Sequence, residues 1–394
     1  MPAKPNEIAG RDAPFSSIPA AAYGLAACLA IIGSNAFSLG AIAPAIAKSL
    51  GVQGPDVMLA ASAYGLGTAG SALLLSSHID RLGVFRCLKR AMAALTVALC
   101  LSSVAPSVAM LTVAQLLAGV AVGVAVPAIY AGALAIAPHG KESRTVGVAL
   151  GGWTFSLMAG VALSTFLTEF VGWRAVFAVN AAMSVATVLA MAPLTDRAVK
   201  PAVSSAPVTA LGIPGIRRLL LACALAMAAF YGLYSYLGDH LYRGLGQALV
   251  VNGLATLLYG AGFGMATFLD GIVDRLGSKI LLPAIFVMGG GIYAAIAVWS
   301  QSLPVVLILF LVLGLVNHLQ VNLLVTRLTD SGPDRKGAIL GLNTAVTYLG
   351  SLTGTAAFAV IYSACGFRSI AALSAVLMIA ASLLATGRGQ RSVP

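Results

Sequence analysis

The sequence predicts an all-α integral membrane protein in which twelve transmembrane helices form two pseudo-symmetric bundles of six. The 394 residues are 59% hydrophobic and only 9% charged, with a mean hydropathy of +0.97, whereas soluble domains carry about 25% charged residues. Apolar runs of about 20 residues recur, and each is long enough to cross a bilayer as a helix. Motifs of the first half of the chain return in the second half.

Charges, prolines and glycines separate the apolar runs and divide the chain. We expect a polar tail without a cleavable signal peptide at 1–19, bundles at 20–194 and 217–387, a linker bearing Pro, Ser and Arg at 195–216, and a tail at 388–394. The predicted helices are 20–45, 57–77, 86–106, 108–136, 143–168, 172–194, 217–241, 247–269, 279–299, 303–326, 336–362 and 367–387.

The Lys and Arg residues predict the orientation of the helices. With both termini on one side, nineteen of the 23 Lys and Arg residues lie on that side, and four lie on the other: Lys48, Arg174, Arg243 and Arg368. By the positive-inside rule, we expect a multi-pass protein of the inner membrane with both termini cytoplasmic. The net charge of +11 is then a topology signal and does not indicate a nucleic-acid partner.

An internal repeat supports the division into halves. The stretch YGLGTAGSALLLSSHIDRLG from Tyr64 aligns with YGAGFGMATFLDGIVDRLG from Tyr259, and Gly119 similarly matches Gly314 at an offset of 195 residues. Two such halves can rock against each other and expose a central site to one side and then the other. A duplicated twelve-helix chain can form this pathway as a monomer.

The repeated tetrapeptide Asp-Arg-Leu-Gly falls in the predicted loop between the second and third helix of each half. Its arginine can pair with carboxylates or helix C-terminal carbonyls, and its glycine permits a tight turn. We expect these loops to gate the cytoplasmic side. The alternative is that the Asp-Arg pair only anchors each loop at the headgroup surface. The gating residues are Asp80, Arg81, Gly83, Asp274, Arg275 and Gly277.

The chain resembles the major facilitator superfamily over nearly its whole length. The resemblance rests on these loops, on AIAPAIAKSLGV at the end of helix 1, on the glycine-rich helices 4 and 5, and on GWRAVF opening helix 6. Within it, the chain is most similar to the twelve-helix drug and metabolite exporters driven by proton exchange. The resemblance implies the major facilitator fold, alternating access, and a cavity lined by helices 1, 4, 7 and 10.

The chain departs from the exporter pattern at several positions. Gln115 replaces the usual arginine of helix 4, and Asn35 stands where helix 1 often carries an acid. The helix 5 stretch GGWTFSLMAGVALS lacks the usual Gly-Pro pair, and Ser76 and Asp270 replace glycines that usually open the loop motif. The usual proton-coupling residues therefore do not all survive, which favours an importer or uniporter.

Helix 7 carries a polar stripe. Four of its side chains fall within an arc of about 80°: Tyr231, Ser235, Asp239 and Tyr242. An acid with three hydroxyls can bind a cationic or hydroxylated solute or carry a proton. The alternative is an interfacial aromatic belt, because tyrosine prefers that depth.

Helix 10 carries four polar residues in six positions, at Asn317, His318, Gln320 and Asn322. His318 and Asn322 share a face, and a histidine can titrate near physiological pH. We expect cavity lining; the alternative is hydrogen bonding between helices. The full predicted set for substrate binding is Ser34, Asn35, Ser38, Gln115, Tyr231, Ser235, Asn317, His318, Asn322, Asn343 and Thr347, with Asp239 and His318 as proton-coupling candidates.

Small-xxx-small pairs on helices 5 and 11 predict close helix packing; they are Gly147 with Gly151, Gly337 with Gly341, and Gly350 with Gly354. No phosphate-binding loop and no His/Cys cluster with metal-ligand spacing occurs in the sequence. We therefore expect no cofactor, no metal and no enzyme activity.

The expected function is proton-coupled efflux of a small organic solute. The alternatives are a proton symporter or uniporter for uptake of a small polar metabolite, and a non-transporting membrane receptor or assembly factor. The expected partners are the solute, protons and the lipid bilayer.

Overall fold

The computed structural model describes residues 19–75, 82–138, 142–195, 207–269, 278–332 and 336–386, and nearly all of this part of the chain is helical. A 3₁₀ helix, Pro207–Gly212, lies in the linker. The transmembrane helices are α1 Ala20–Leu50, α2 Gly54–Leu75, α3 Val84–Ser103, α4 Val108–Ile136, α5 Glu142–Phe155 continued through the π turn Ser156–Gly160 into Val161–Phe170, α6 Trp173–Ala190, α7 Ile216–Asp239 with the π turn His240–Gly244, α8 Val250–Met265 with the 3₁₀ turn Ala266–Leu269, α9 Ser278–Trp299, α10 Leu303–Asp330, and the segment Lys336–Thr386.

The last segment contains two helices, because Gly366 interrupts it with a left-handed φ of 76°. We call its parts α11 (336–365) and α12 (367–386). Within the described residues, nine helical segments are long and apolar enough to cross a membrane, and Ala338–Thr386 counts once among them. The apolar α8 and the 20-residue α3, whose cations lie in its first two turns, complete the predicted twelve.

Several helix bounds differ from the predictions for local reasons. α1 continues through Pro44 to Leu50 and ends where Gly51 adopts a left-handed conformation. α10 continues to Asp330. The π turn in α5 was not predicted, because no side chain in the sequence marks it.

The packing separates two six-helix groups. In the first, α1 packs on α5 and α6, α2 on α4, and α3 on α4 and α6. In the second, α7 and α9 pack on the α11–α12 segment, and α8 and α9 pack on α10. The groups meet where α1 contacts α7, α2 contacts α11, and α5 contacts α8. This is the predicted fold class.

Glycine contacts repeat the sequence offset in three dimensions. A Cβ on Gly119 would overlap the carbonyl oxygen of Tyr64, and a Cβ on Gly314 would overlap the carbonyl oxygen of Tyr259. Gly119 and Gly314 are 195 residues apart, as are Tyr64 and Tyr259. Helix α2 therefore crosses α4 in the same close way as α8 crosses α10. Only glycine allows the backbones to approach this far.

The interface between the halves follows the same symmetry. Gly65 of α2 packs against Leu352 of α11, and Gly260 of α8 packs against Leu157 of α5. These two contacts are also related by 195 residues. The pseudo-twofold relation therefore extends from the bundles to the contacts between them.

The small-residue pairs have different outcomes. Gly350 and Gly354 pack directly on the α7 backbone, so that prediction is confirmed. Gly147 and Gly151 have no atom within 4 Å of a Cβ built on them, so the predicted close approach there is wrong. The α5 glycine that packs on α1 is Gly152, at the backbone of Ala26. Helix α5 does pack on α1 through a glycine, but the sequence does not reveal which face of α5 meets α1.

Candidate functional site

We name the two ends of the molecule by their chain segments. The distal end contains the α1–α2 and α7–α8 turns, residues 50–54 and 244–250. The proximal end is the opposite one, where α1 and α7 begin and α12 ends.

Toward the distal end, the two halves bind each other through the α1 backbone. The Tyr234 hydroxyl donates to the Phe37 carbonyl oxygen at 3.0 Å, and Asn252 Nδ2 donates to the Ala41 carbonyl oxygen at 2.8 Å. Gly238 lies so close to the Gly40 carbonyl oxygen that a Cβ would overlap it. Helices α1, α7 and α8 therefore close the path between the halves on this side.

Asp239 takes part in this closure. Its carboxylate is buried, accepts a hydrogen bond from the Tyr362 hydroxyl at 2.8 Å, and lies 3.8 Å from Arg243 Nη1. Across the interface, a Cβ on Gly54, the first residue of α2, would lie 2.7 Å from Asp239 Oδ1. Oδ1 itself has no hydrogen-bond partner. The carboxylate thus faces the positive end of the α2 dipole.

Arg243 also bridges the two halves. Its Nη1 donates to Gln53 Oε1 at 2.8 Å, although the arginine side chain is 50% exposed. The distal contact therefore joins the end of α7 to the start of α2 through both a buried acid and an exposed cation.

Aromatic side chains from both halves meet at the centre of the molecule. Phe37 stacks on Tyr231 with ring centroids 6.0 Å apart and packs edge-on against Trp153 at 6.2 Å. Tyr64 meets Tyr348 across the interface at 6.4 Å. We define the central aromatic group by six residues: Phe37, Tyr64, Tyr130, Trp153, Tyr231 and Tyr348.

The polar side-chain groups of this centre are the tyrosine hydroxyls and the Trp153 indole N–H. Tyr348 lies near the phenols of Tyr64, Tyr130 and Tyr231. The Tyr64 hydroxyl is buried and makes no hydrogen bond within the described chain. Buried polar groups are normally paired, so an unpaired one at a contact between the halves suits a bound ligand. The sequence prediction included only Tyr231, although Tyr64 and Tyr259 occupy equivalent positions of the repeat.

The two residues that replace charges in helices 1 and 4 bind each other. Asn35 Nδ2 donates to Gln115 Oε1 at 3.0 Å, and Gln115 Nε2 donates to Asn35 Oδ1 at 3.3 Å and to Ser102 Oγ at 3.1 Å. Asn35 is 1% and Gln115 0% exposed. Both amides are therefore used inside the first bundle, and we leave them out of the proposed substrate site.

The remaining helix 1 candidates face α5. Ser38 donates to Ser164 Oγ at 2.8 Å, and Ser34 packs against Gly160 in the π turn. These contacts hold α1 against α5 within one half.

Of the predicted helix 7 stripe, Tyr231 belongs to the central aromatic group; Tyr234, outside that stripe, packs edge-on against Phe37 at 5.8 Å. The Ser235 and Thr355 hydroxyls lie 3.1 Å apart, which links α7 to α11. Tyr242 lies half-buried beyond Asp239, at the distal end. The predicted stripe thus spans a central aromatic contact, a helix–helix contact and the distal closure.

Helix 10 directs its polar residues to different places. Asn317 Nδ2 donates to the Tyr259 hydroxyl at 3.2 Å inside the second bundle. His318 is half-buried and packs edge-on against Phe263 at 4.9 Å. Asn322 is half-buried and accepts a hydrogen bond from Thr326 at 3.5 Å. These three contacts all lie within the second half.

On helix 11, Asn343 and Thr347 face Cys223 of α7. The Cys223 thiol lies 3.4 Å from Asn343 Oδ1 and 3.6 Å from Thr347 Oγ1. Both residues are half-buried; Thr347 directly precedes Tyr348, and Asn343 lies between one and two turns from Tyr348 toward the proximal end.

Of the predicted gating residues, Gly83 lies in the described chain. It has a φ of 92° and precedes α3, so it occupies the left-handed region that a glycine turn requires. The other five lie outside the described residues, and their gating role stays a prediction: Asp80, Arg81, Asp274, Arg275 and Gly277. Among the described residues, no group of three His, Cys, Asp or Glu side chains is placed to hold a metal ion.

Comparison with known proteins identifies the family. Residues 25–355 match the Major Facilitator Superfamily. The chain is 24% identical to the uncharacterized MFS-type transporter YwfA of Bacillus subtilis, over 64% of each chain. It is 25% identical to the inner membrane transport protein YdhP of Escherichia coli O157:H7, over 90% of this chain and 92% of YdhP. It is 26% identical to a chloramphenicol resistance protein of Streptomyces lividans, over 79% of this chain and 81% of that protein.

The chain therefore belongs to the Major Facilitator Superfamily. It is a multi-pass membrane protein of a transporter family and not an enzyme.

Proposed function

We propose that this protein exports a small organic solute across the inner membrane by alternating access, in exchange for protons. The placement of Lys and Arg supports a cytoplasmic proximal end and a distal end on the outside. The observation that carries the proposal is the central aromatic group, which both halves contribute and which the distal contacts close from the outside. The likeness to a chloramphenicol resistance protein supports the outward direction.

The central aromatic group favours a largely apolar or aromatic solute with at least one hydrogen-bonding group. Aromatic rings supply most of the contact area in such sites, and a few polar groups fix the orientation. Tyr64 offers an unused hydroxyl for that purpose. No charged side chain belongs to the group, which disfavours a multiply charged ion.

Asp239 is the proposed coupling acid. Closing the distal end moves this carboxyl from water into the interface, where Oδ1 finds no hydrogen-bond partner. A protonated carboxyl loses less hydration on that move than a carboxylate does. We propose that this loss of hydration outweighs the Tyr362 hydrogen bond, Arg243 and the α2 dipole, which favour the carboxylate. Protonation from the outside then favours the distally closed state, and proton loss favours its opening, which is the order that exchange requires. His318, half-buried in the second bundle, is the second candidate.

Accumulation of a compound panel tests the proposed function. Cells with and without the protein are compared, and each measurement is repeated with a protonophore. We expect lower accumulation of at least one aromatic compound with the protein, and restoration by the protonophore. Raised accumulation would contradict efflux, and no difference across the panel would contradict transport of this compound class.

One observation favours the alternative of uptake by symport or uniport. The Asn35–Gln115 pair is neutral where related exporters carry charges, so the first bundle offers no titratable group at that crossing. Under this alternative the protein raises accumulation, and uptake that survives a protonophore identifies a uniporter.

A further inference from the structure

A cavity of about 1110 Å³ opens at the proximal end. Its walls are the linker after Pro207–Gly212 and the proximal ends of α7, α9, α10 and α12. Of the described residues, those that line it belong to the linker or the second bundle. The cavity is therefore separate from the pathway between the two halves.

The charged lining of this cavity is predominantly positive. Among the described residues that line it, four cations face one acid, Asp330, and no ion pair between that acid and any of them is found in this part of the chain. The Arg217 Nε donates to the Leu211 carbonyl oxygen at 3.0 Å and so ties the linker to α7. The cavity thus keeps an excess of positive charge beside an apolar wall.

Arg327 supplies the most specific signal. It is half-buried in the last turn of α10, and its Nη1 is buried without a hydrogen-bond partner. A buried donor attached to a charged group is costly when unpaired. Arg327 also lines the cavity, so a shift of its guanidinium would bring this donor to a ligand with several acceptor oxygens.

The start of α7 adds a second source of positive potential. Gly215 precedes the helix in a left-handed conformation, no side chain caps it, and its first turn contains no acid. Instead, Arg217 and Arg218 occupy that turn, where the helix dipole disfavours cations. The Ile216 N–H donates to the Ile213 carbonyl oxygen at 3.3 Å. The next N–H groups of the first turn, together with positive charge, form an arrangement that binds anions.

We infer that this cavity binds a phosphate group of an anionic ligand, held by Arg218, Lys279 and Arg327 with the N–H groups at the start of α7. The volume exceeds the need of one phosphate and leaves room for an attached organic group. Because the cavity lies at the helix ends, an anionic lipid headgroup can reach it, as can a free phosphate. The inference does not depend on the direction of transport.

Native mass spectrometry of the purified full-length protein tests this site. The probes are phosphatidylglycerol, zwitterionic phosphatidylcholine and inorganic phosphate, each titrated separately. The test variant combines Arg218→Gln with Arg327→Gln, and Arg368→Gln, an exposed cation of the distal end, is the matched control. We expect phosphatidylglycerol to bind the double variant about 30-fold more weakly than the wild type and the control.

The probes separate the two sources of phosphate. Binding of phosphatidylglycerol without inorganic phosphate assigns the site to a headgroup, and binding of both assigns it to the phosphate itself. If the double variant is not folded by size-exclusion chromatography, Arg218→Gln alone, at an exposed position, should weaken binding about fivefold. Equal binding by wild type and folded variants, or no preference for phosphatidylglycerol and phosphate over phosphatidylcholine, would overturn the inference.

Discussion

The two halves share their packing but not their polar chemistry. Gly119 and Gly314 make the same close crossing, and Gly65 and Gly260 make the same contact between halves. The polar groups that bear on proton coupling do not repeat. The first half buries the neutral pair of Asn35 with Gln115, whereas the second half buries the acid Asp239 and holds His318.

This difference separates scaffold from mechanism. Alternating access needs two halves of similar shape, so the packing contacts are retained in both copies. Proton coupling needs one titratable group that changes its environment, and a buried acid in a membrane is costly. Our account therefore places the coupling in the second half alone, and each prediction below tests one side of the comparison.

The largest effect should come from the shared packing. Gly119→Val and Gly314→Val each force a side chain into a backbone oxygen, so we expect both to lose about 3 kcal/mol or more of stability. Thermal unfolding of the detergent-solubilised protein, followed by size-exclusion chromatography, measures this. Gly151→Val, which meets open space, is the control and should unfold like the wild type. Sensitivity of one copy only would show that the crossings are not equivalent.

The neutral pair gives the next prediction. Asn35→Asp places an uncompensated charge beside Gln115 and should cost about 3–5 kcal/mol of stability. Adding Gln115→Arg supplies a counter-charge and should recover much of that loss. A double-mutant cycle on thermal unfolding measures the coupling. If Asn35→Asp alone leaves stability unchanged at pH 8, the site is not the closed, neutral interior described here.

The predictable part of this molecule lies in its periodicity and repeat. Apolar run length gave the twelve helices, and the offset of 195 residues gave the relation that the glycine contacts display. The face that each helix turns toward its neighbours was harder to predict, because a helix buried among others is apolar on most sides. Asn35 therefore resembled a cavity residue, although its amide binds Gln115.

The central aromatic group could not be predicted either, because the sequence alone does not show which residues of different helices meet. Tyr64 and Tyr348 are ordinary residues of apolar runs, and only the meeting of α2 with α11 gives them a shared position. Asp239 was predicted as a candidate from its charge. Its contact with the start of α2, at Gly54, depends on how the halves meet and is not encoded in either helix alone.

A smaller effect is expected at the central hydroxyl. Tyr64→Phe removes a possible hydrogen bond to the solute and should weaken its binding about fivefold to tenfold. No loss of stability is expected, because the hydroxyl has no hydrogen-bond partner among the described residues. Solute binding to the purified protein measures this. Tyr293→Phe removes another buried, unpaired hydroxyl, on α9, and should leave affinity unchanged. Equal effects of both variants would remove Tyr64 from the site.

The smallest effect should come from Arg243. Its guanidinium is half exposed and 3.8 Å from Asp239, so water and salt screen the pair. We expect Arg243→Gln to change the transport rate less than about threefold, and 0.5 M salt to reduce the wild-type rate by a similar amount. Complete loss of transport would assign to Arg243 a role that the geometry does not give it.

The most direct test of the account is transport by Asp239→Asn in proteoliposomes with and without an imposed pH gradient, using a solute found with the compound panel. Glu169→Gln, an exposed acid near the distal end, is the control. The account predicts that Asp239→Asn loses acceleration by the pH gradient and keeps downhill exchange, while Glu169→Gln keeps both. Gradient-driven transport at the wild-type rate in Asp239→Asn would contradict it.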